Sequence, residues 1–182
     1  MQAPVESLRR GSVLALPGNP CEKGSKQLKV LSKEEHVVRT IPGDGSCLFK
    51  SLSEALGVPV LALKVKMTTY VLRSELGETC RLALENCYGV TDKGEYAQQL
   101  MTPKFWGGGL EVNLVVRLFN KKVFLFEDQP NEFVELMCFE SSEAVAVDAS
   151  SQEEAECIHL AYKSDGDKDS YAHCDLIIPK PS

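Results

Sequence analysis

The spacing of hydrophobic positions divides the chain near Asn120. Before that point, apolar residues recur three and four positions apart, which is typical of helices that pack by one face. The clearest case follows Cys47, where apolar residues keep helical spacing as far as Gly57. Further helices are predicted over residues 60–76, 79–87, 94–101 and 110–120.

After Asn120 the pattern changes to short runs rich in β-branched and aromatic residues, separated by polar loops. Such runs are typical of strands. A similar run, "HVVRTI" at 36–41, precedes the first helix and ends at Pro42 and Gly43. Helices clustered in the first half and strands in the second predict an α+β fold. The late strands are predicted at 122–128, 132–140, 157–163 and 174–180.

Two segments lack this regularity. Residues 1–30 combine Gly, Pro and Ser with basic residues, and we interpret them as a flexible N-terminal tail. Residues 140–156 are acidic and rich in Ser and Ala, which indicates an exposed connection. The remaining segment, 31–180, has the length and the apolar content of one ordinary globular domain.

The charge balance and the apolar runs exclude several classes of function. Twenty basic against 26 acidic residues give a net charge of −6, and no basic stripe is present to follow a nucleic-acid backbone. The apolar stretch at 13–16 is far shorter than a signal-peptide core, and no later run approaches ~18 apolar residues. We therefore expect no nucleic-acid or membrane partner. We also expect a monomer in the cytoplasm, or in the host cytoplasm if the chain is viral.

The seven cysteines do not form a recognisable metal or disulfide framework. Their number is odd, and neither a C-x-x-C pair nor a matching histidine pair occurs, so reduced thiols and no zinc are expected. The aspartates of "DGDKD" at 165–169 begin like a calcium loop, but the glycine falls at the second place and Leu176 at the twelfth. No nucleotide-binding glycine motif is present either. We predict no metal and no cofactor.

Cys47 is the first candidate for chemistry. It lies at the N-terminus of the first predicted helix, where backbone amides and the helix dipole favour a thiolate over a thiol. The preceding "GDGS" can turn sharply, so the amides of Asp44, Gly45, Ser46 and Cys47 are candidates to hold an oxyanion. The alternative is that Gly-Asp-Gly is only a strand-to-helix turn.

A nucleophilic cysteine needs a base, and the chain has three histidines. His36 and His159 lie inside apolar runs and are interpreted as strand residues. His173 opens the last strand, two positions before Asp175, so both side chains share one face while Cys174 points to the other. Asp175 can orient the imidazole, although an incidental surface pair is the alternative. Asp175 is also the only carboxylate or amide side chain after His173, which disfavours a papain-type layout with a later orienting asparagine.

Three segments together resemble the ovarian-tumour (OTU) family of cysteine deubiquitinases, especially the compact domains of some RNA viruses. They are "GDGSCLFKSLSEALG", "FWGGGLEVNLVVRLFNKKVFLFE" and "YAHCDLII". The resemblance implies a papain-like OTU fold for residues 31–180, with a small mixed sheet formed mainly by the C-terminal half. It also implies Cys47 as nucleophile, His173 as general base, Asp175 as orienting partner and Asp44 in the loop that shapes the oxyanion hole. Cys174 departs from the pattern, because the family generally has an aromatic residue there.

The function implied is cleavage of ubiquitin, or a ubiquitin-like modifier, from lysine side chains. The segment Trp106, Gly107, Gly108 and Gly109 is expected to form one wall of the groove for the modifier's tail, since glycines let another backbone approach closely. The alternative is a flexible loop with Trp106 buried in the core. Two other functions stay open: a protease that processes a polyprotein, and a catalytically idle ubiquitin-binding module.

Overall fold

The computed structural model describes residues 28–75, 78–140, 157–163 and 173–181. Within these ranges the chain forms five α-helices, and a π-helical turn over Leu84–Tyr88 directly follows the third. The helices are α1 (Cys47–Leu56), α2 (Val60–Arg73), α3 (Glu78–Ala83), α4 (Lys93–Leu100) and α5 (Gly109–Phe119). The strands are β1 (Val30–Ser32), β2 (His36–Arg39), β3 (Lys122–Asp128), β4 (Glu132–Phe139), β5 (Cys157–Lys163) and β6 (His173–Pro179).

The predicted α+β organisation is confirmed, with small differences at the element ends. Helix α2 ends at Arg73 instead of 76, because Ser74 has extended backbone angles. Strand β2 ends at Arg39, two residues before the predicted end. Strand β1 was not predicted at all. Three segments lie outside the described residues. They are the first 27 residues of the predicted tail, residues 141–156 of the predicted acidic connection, and the "DGDKD" segment at 165–169.

The described strands form one mixed sheet in the order β1-β4-β3-β5-β6-β2. All neighbouring strands are antiparallel except β3 and β5, which run parallel. Strand β6 therefore lies between β5 and the early strand β2, and β2 leads directly into the loop before α1. This order brings the last strand of the sheet close to the N-terminus of the first helix.

The main core fills the space between the helices and one face of the sheet. Alternate residues of the strands point to this core, as expected for a sheet that is buried on both faces. Helix α1 packs on β6, where the Ser51 hydroxyl donates a hydrogen bond of 3.0 Å to the carbonyl of Cys174. A second apolar cluster on the other face contains Leu31, Phe124, Phe126, Phe133, Ala161 and Ile177.

Candidate active site

Cys47 is the first residue of α1 and is buried. The loop before it turns through Gly45, whose φ of +85° lies in the region that favours glycine. The Asp44 carboxylate accepts hydrogen bonds from both the amide (3.2 Å) and the hydroxyl (2.7 Å) of Ser46. These contacts stabilise a tight turn that places the Cys47 sulfur at the N-terminus of α1.

Of the four amides predicted to face an oxyanion, only two are free of hydrogen bonds within the loop. The Asp44 amide donates to the carbonyl of Pro42 at 3.1 Å, and the Ser46 amide donates to the Asp44 side chain. Within the part of the chain that the structure describes, the amides of Gly45 and Cys47 have no hydrogen-bond acceptor. Two of the four predicted donors are therefore engaged inside the loop, and two remain for a ligand.

The side chain of Asp44 stabilises the loop before Cys47. Its second carboxylate oxygen accepts a hydrogen bond from the ammonium group of Lys50, one turn along α1. The Lys50 and Ser46 hydrogen bonds hold the pKa of Asp44 well below its usual value. Asp44 is thus an ionised, half-exposed residue that stabilises the turn before Cys47.

His173 and Asp175 share one face of β6, as their spacing predicted. The Nε2 of His173 lies 2.8 Å from Oδ1 of Asp175. Because a carboxylate only accepts, Nε2 carries the hydrogen, and Nδ1 is the ring nitrogen able to take a proton. Nδ1 lies against the loop that leads to Cys47, since a Cβ built on Gly43 would be 3.5 Å from it. Cys174 points to the other face and is buried, as expected.

Asp175 is fully buried and has two further donors that the sequence did not reveal. The amide of Ile41 donates to its Oδ1 at 2.7 Å, and the ammonium group of Lys163 donates to its Oδ2 at 3.0 Å. Burial by itself would raise the pKa of Asp175, but the bonds from Ile41, Lys163 and His173 outweigh burial and lower it. The carboxylate is therefore ionised and fixed in orientation.

The other two described histidines lie elsewhere. His36 begins β2, and His159 packs on β5 against Phe124 and Phe126, in the second apolar cluster. Burial, together with the nearby Lys29, lowers the pKa of His159 to about 4. Both are strand residues, as predicted.

A small apolar pocket of about 20 Å³ lies beside Cys47 and extends into the core. Trp106, Gly107 and Gly109 line one side of it, Cys174 lines it from β6, and buried core residues such as Leu125 and Leu160 line the rest. Trp106 is 36% exposed, so the alternative in which its ring is buried in the core is wrong. The Trp-Gly segment also touches the loop before Cys47, because a Cβ on Gly45 would be 3.8 Å from the indole ring.

The three glycines of this segment have different surroundings. A Cβ on Gly107 would be 2.8 Å from the Phe49 ring and 2.9 Å from Leu48, both on α1. Gly107 is therefore required for close packing of the loop on α1. A Cβ on Gly108 would only make ordinary contacts, the nearest at 3.7 Å from the Tyr88 hydroxyl.

Glu111 anchors the end of the segment from inside the protein. This carboxylate is fully buried, and it accepts hydrogen bonds from the amide of Gly108 (2.5 Å) and the hydroxyl of Tyr88 (2.6 Å). The hydroxyl of Tyr96 donates to its other oxygen. Burial raises the pKa of Glu111, although these hydrogen bonds oppose the rise. Sequence reasoning missed this residue, because a single glutamate on an apolar helix gives no signal of its partners.

Replacing Gly107 with alanine is expected to destabilise the fold by about 1–3 kcal/mol, because the new methyl group overpacks against α1. Gly108→Ala is the matched control and should cost less than about 1 kcal/mol. Chemical denaturation of both variants measures the difference. Equal losses would show that the contact with α1 does not constrain Gly107.

Neither a cluster of metal ligands nor a single membrane-spanning helix occurs among the described residues. No group of three His, Cys, Asp or Glu side chains there could hold a metal ion. No single described helix is long and apolar enough to cross a membrane. Helices α1 and α2 together have a suitable length and composition, but they are bent by 97° at the break between them.

Comparison with known proteins identifies the fold. A family model described as OTU-like cysteine protease matches residues 42–164. The match includes Cys47 and Trp106 but stops before β6, so the pairing of His173 with Asp175 rests on the structure alone. No curated protein sequence matches the chain.

Solved structures give the same assignment at low sequence identity. The viral OTU domain protease of Dera Ghazi Khan virus aligns with a TM-score of 0.57 and 14% identity, over 84% of this chain and 87% of that one. An OTU deubiquitinase from Wolbachia pipientis wMel bound to ubiquitin aligns at 0.57 and 18%, over 80% and 97%. The Hazara virus OTU bound to ubiquitin aligns at 0.52 and 18%, over 87% and 93%. The predicted OTU fold is confirmed.

Proposed function

The chain belongs to the family of OTU-like cysteine proteases, and from that premise we propose that it is a deubiquitinase. It hydrolyses the isopeptide bond between the C-terminal glycine of ubiquitin and a lysine side chain. One observation carries this proposal: Cys47 begins a helix beside a hydrogen-bonded His173–Asp175 pair, in a fold that also occurs in OTU proteins solved with ubiquitin.

Cys47 is the nucleophile. Its thiolate attacks the carbonyl carbon of the terminal glycine, and the oxygen gains negative charge as the tetrahedral intermediate forms. The unengaged amides of Gly45 and Cys47 donate hydrogen bonds to that oxygen. The amides of Asp44 and Ser46 support the loop instead, since they already donate to other atoms of it.

His173 moves the protons. Its imidazolium gives a proton to the lysine nitrogen as the C–N bond breaks, which leaves ubiquitin bound to Cys47 as a thioester. The neutral ring then takes a proton from water, and the resulting hydroxide attacks the thioester and releases ubiquitin with a free carboxylate. Asp175 holds the ring through Nε2, so that Nδ1 stays directed to the reacting groups.

The tail of the modifier passes along the exposed side of the Trp106–Gly109 loop to reach Cys47. The partly exposed Trp106 ring flanks this path, and Glu111 holds the Gly108 end of the loop in place. A groove of this kind accepts a tail that ends in Gly-Gly and hinders a larger residue there. Ubiquitin-like modifiers that share the Gly-Gly end belong to the same proposed substrate class.

We further propose that the enzyme acts as a monomer in the cytoplasm, without nucleic acid. The acidic net charge of −6 supports the lack of nucleic-acid binding.

The test uses ubiquitin that carries a thiol-reactive electrophile at its C-terminus, in two forms whose tails end in Gly-Gly and Val-Gly. We expect the Gly-Gly probe to form a covalent adduct on Cys47, located by peptide mass spectrometry. The Val-Gly probe should react more slowly by at least about 10-fold, since a branched side chain must enter the groove.

Two outcomes would contradict the proposed activity, and a third would contradict the proposed role of the Trp106–Gly109 loop. No adduct with either probe, combined with cleavage of ordinary peptides, would favour a polyprotein-processing protease. Tight ubiquitin binding without an adduct would favour the idle binding module. Equal rates for the two probes would remove the Trp106–Gly109 loop from the substrate site.

A further inference from the structure

Lys163 is the last residue of β5 and lies directly opposite His173 in the antiparallel β5–β6 register. Its ammonium group donates to Oδ2 of the buried Asp175 at 3.0 Å, while its own side chain stays 42% exposed. No sequence motif predicts this contact. Lys163 comes close to Asp175 only because β5 and β6 pair in this register.

Asp175 therefore has a different donor set on each oxygen. Oδ1 accepts from His173 and from the Ile41 amide, and Oδ2 accepts from Lys163. A cation on the far oxygen offsets part of the negative charge that the imidazolium of His173 experiences. It also fixes the plane of the carboxylate, which determines where the His173 ring points.

We propose that Lys163 is a positioning residue of this active site. It acts through Asp175: it orients the carboxylate and limits how strongly that carboxylate stabilises the His173 imidazolium. The inference rests on the proposed function, because it assigns His173 a proton-transfer role.

The other charged and titratable groups around this pair are few in the described part of the chain. The Cys174 thiol on β6 interacts with both Asp175 and the Cys47 thiol of α1, and Tyr162 of β5 lies opposite Cys174. Asp44 and Lys50, on the loop and on α1, are paired with each other. Lys163 is thus the cation that contacts Asp175 from β5, and its removal leaves a specific imbalance of charge.

The sign of the effect follows from this charge balance. Without Lys163, the full charge of Asp175 acts on the imidazolium, which then keeps its proton to higher pH. Since the leaving group receives this proton, the alkaline limb of the kcat/KM profile should move upward by about 0.5–1 pH unit in Lys163→Met. Lys163→Arg keeps a cationic donor and should retain the wild-type limb.

The experiment measures kcat/KM against pH on a fluorogenic ubiquitin substrate for the wild type, Lys163→Met and Lys163→Arg. Lys122→Met is the matched control, because Lys122 is also an exposed strand lysine beside a carboxylate, 3.7 Å from Glu140. Its alkaline limb should not move. Thermal unfolding checks that each variant is folded, and Lys163→Gln replaces the methionine variant if that one is not.

NMR titration of the His173 ring gives a second readout that needs no substrate. The titration midpoint should rise in Lys163→Met and return in Lys163→Arg. An unmoved midpoint and limb in a folded Lys163→Met, or an equal shift in Lys163→Arg, would overturn the proposal. A wild type without turnover would contradict the proposed function instead, and the NMR titration would still decide the role of Lys163.

Discussion

Cys47→Ala is expected to abolish hydrolysis of a fluorogenic ubiquitin substrate, with a loss on the order of 10⁴-fold or more. The variant removes the sulfur that forms the thioester and leaves only binding and oxyanion contacts. Its fold should change little, since the replaced side chain is small and its helix is held by Phe49 and Leu52 in the core. Turnover, circular dichroism and calorimetric ubiquitin binding together test this expectation.

Cys174→Ala is the matched control, because Cys174 is the second thiol that lines the small pocket beside Cys47. Burial raises the pKa of Cys174 to about 12, so this thiol stays protonated and unreactive at neutral pH. Most of the activity should therefore remain in Cys174→Ala. Hydrolysis retained in Cys47→Ala but lost in Cys174→Ala would reassign the nucleophile.

The helices and the long strands could be predicted because their information is local. Helix α1 shows its apolar stripe within ten residues, and Gly57, which follows its last residue, caps it with a φ of +64° that is common at helix C-termini. Strand β1 could not be predicted, because its three residues gain their structure by pairing with β4, far along the chain. The parallel pairing of β3 with β5 is equally non-local, so strand order did not follow from the sequence.

In the candidate site, too, local contacts could be predicted from the sequence and non-local ones could not. The spacing of His173 and Asp175 on one strand was enough to predict their contact, because alternate residues share a face. The Ile41 amide and Lys163 were missed, since a backbone donor and a cross-strand neighbour leave no mark in the sequence. Their contribution appears only when β5, β6 and the segment that follows β2 come together.

Local chemistry can also mislead. The sequence offers four successive amides at Cys47, but two of them donate inside the loop: the Ser46 amide to the Asp44 side chain and the Asp44 amide to the Pro42 carbonyl. The run of glycines after Trp106 was interpreted as room for a substrate backbone. Gly107 makes room for α1, so this glycine is required for packing, and its presence in the run is not by itself evidence of a groove.

Only one of the described histidines has the surroundings of a general base. His159 is held neutral by burial among aromatic rings, and Lys29 lies 3.3 Å from its Nε2. His36 directs its Nδ1 to the carbonyl of Ser32 at 3.2 Å. His173 alone pairs with a buried carboxylate and contacts the loop before the cysteine.

His173→Ala is therefore expected to lower kcat/KM for a fluorogenic ubiquitin substrate by about 10³-fold or more, since members of one catalytic unit fail together. Asp175→Asn should lose less, because the amide oxygen can still accept from His173 and Ile41 while the exposed Lys163 moves away into water. His36→Ala and His159→Ala are the controls and should stay active if folded. A folded but inactive control would identify a different base, and an Asp175→Asn loss equal to that of His173→Ala would show that the carboxylate charge itself is required.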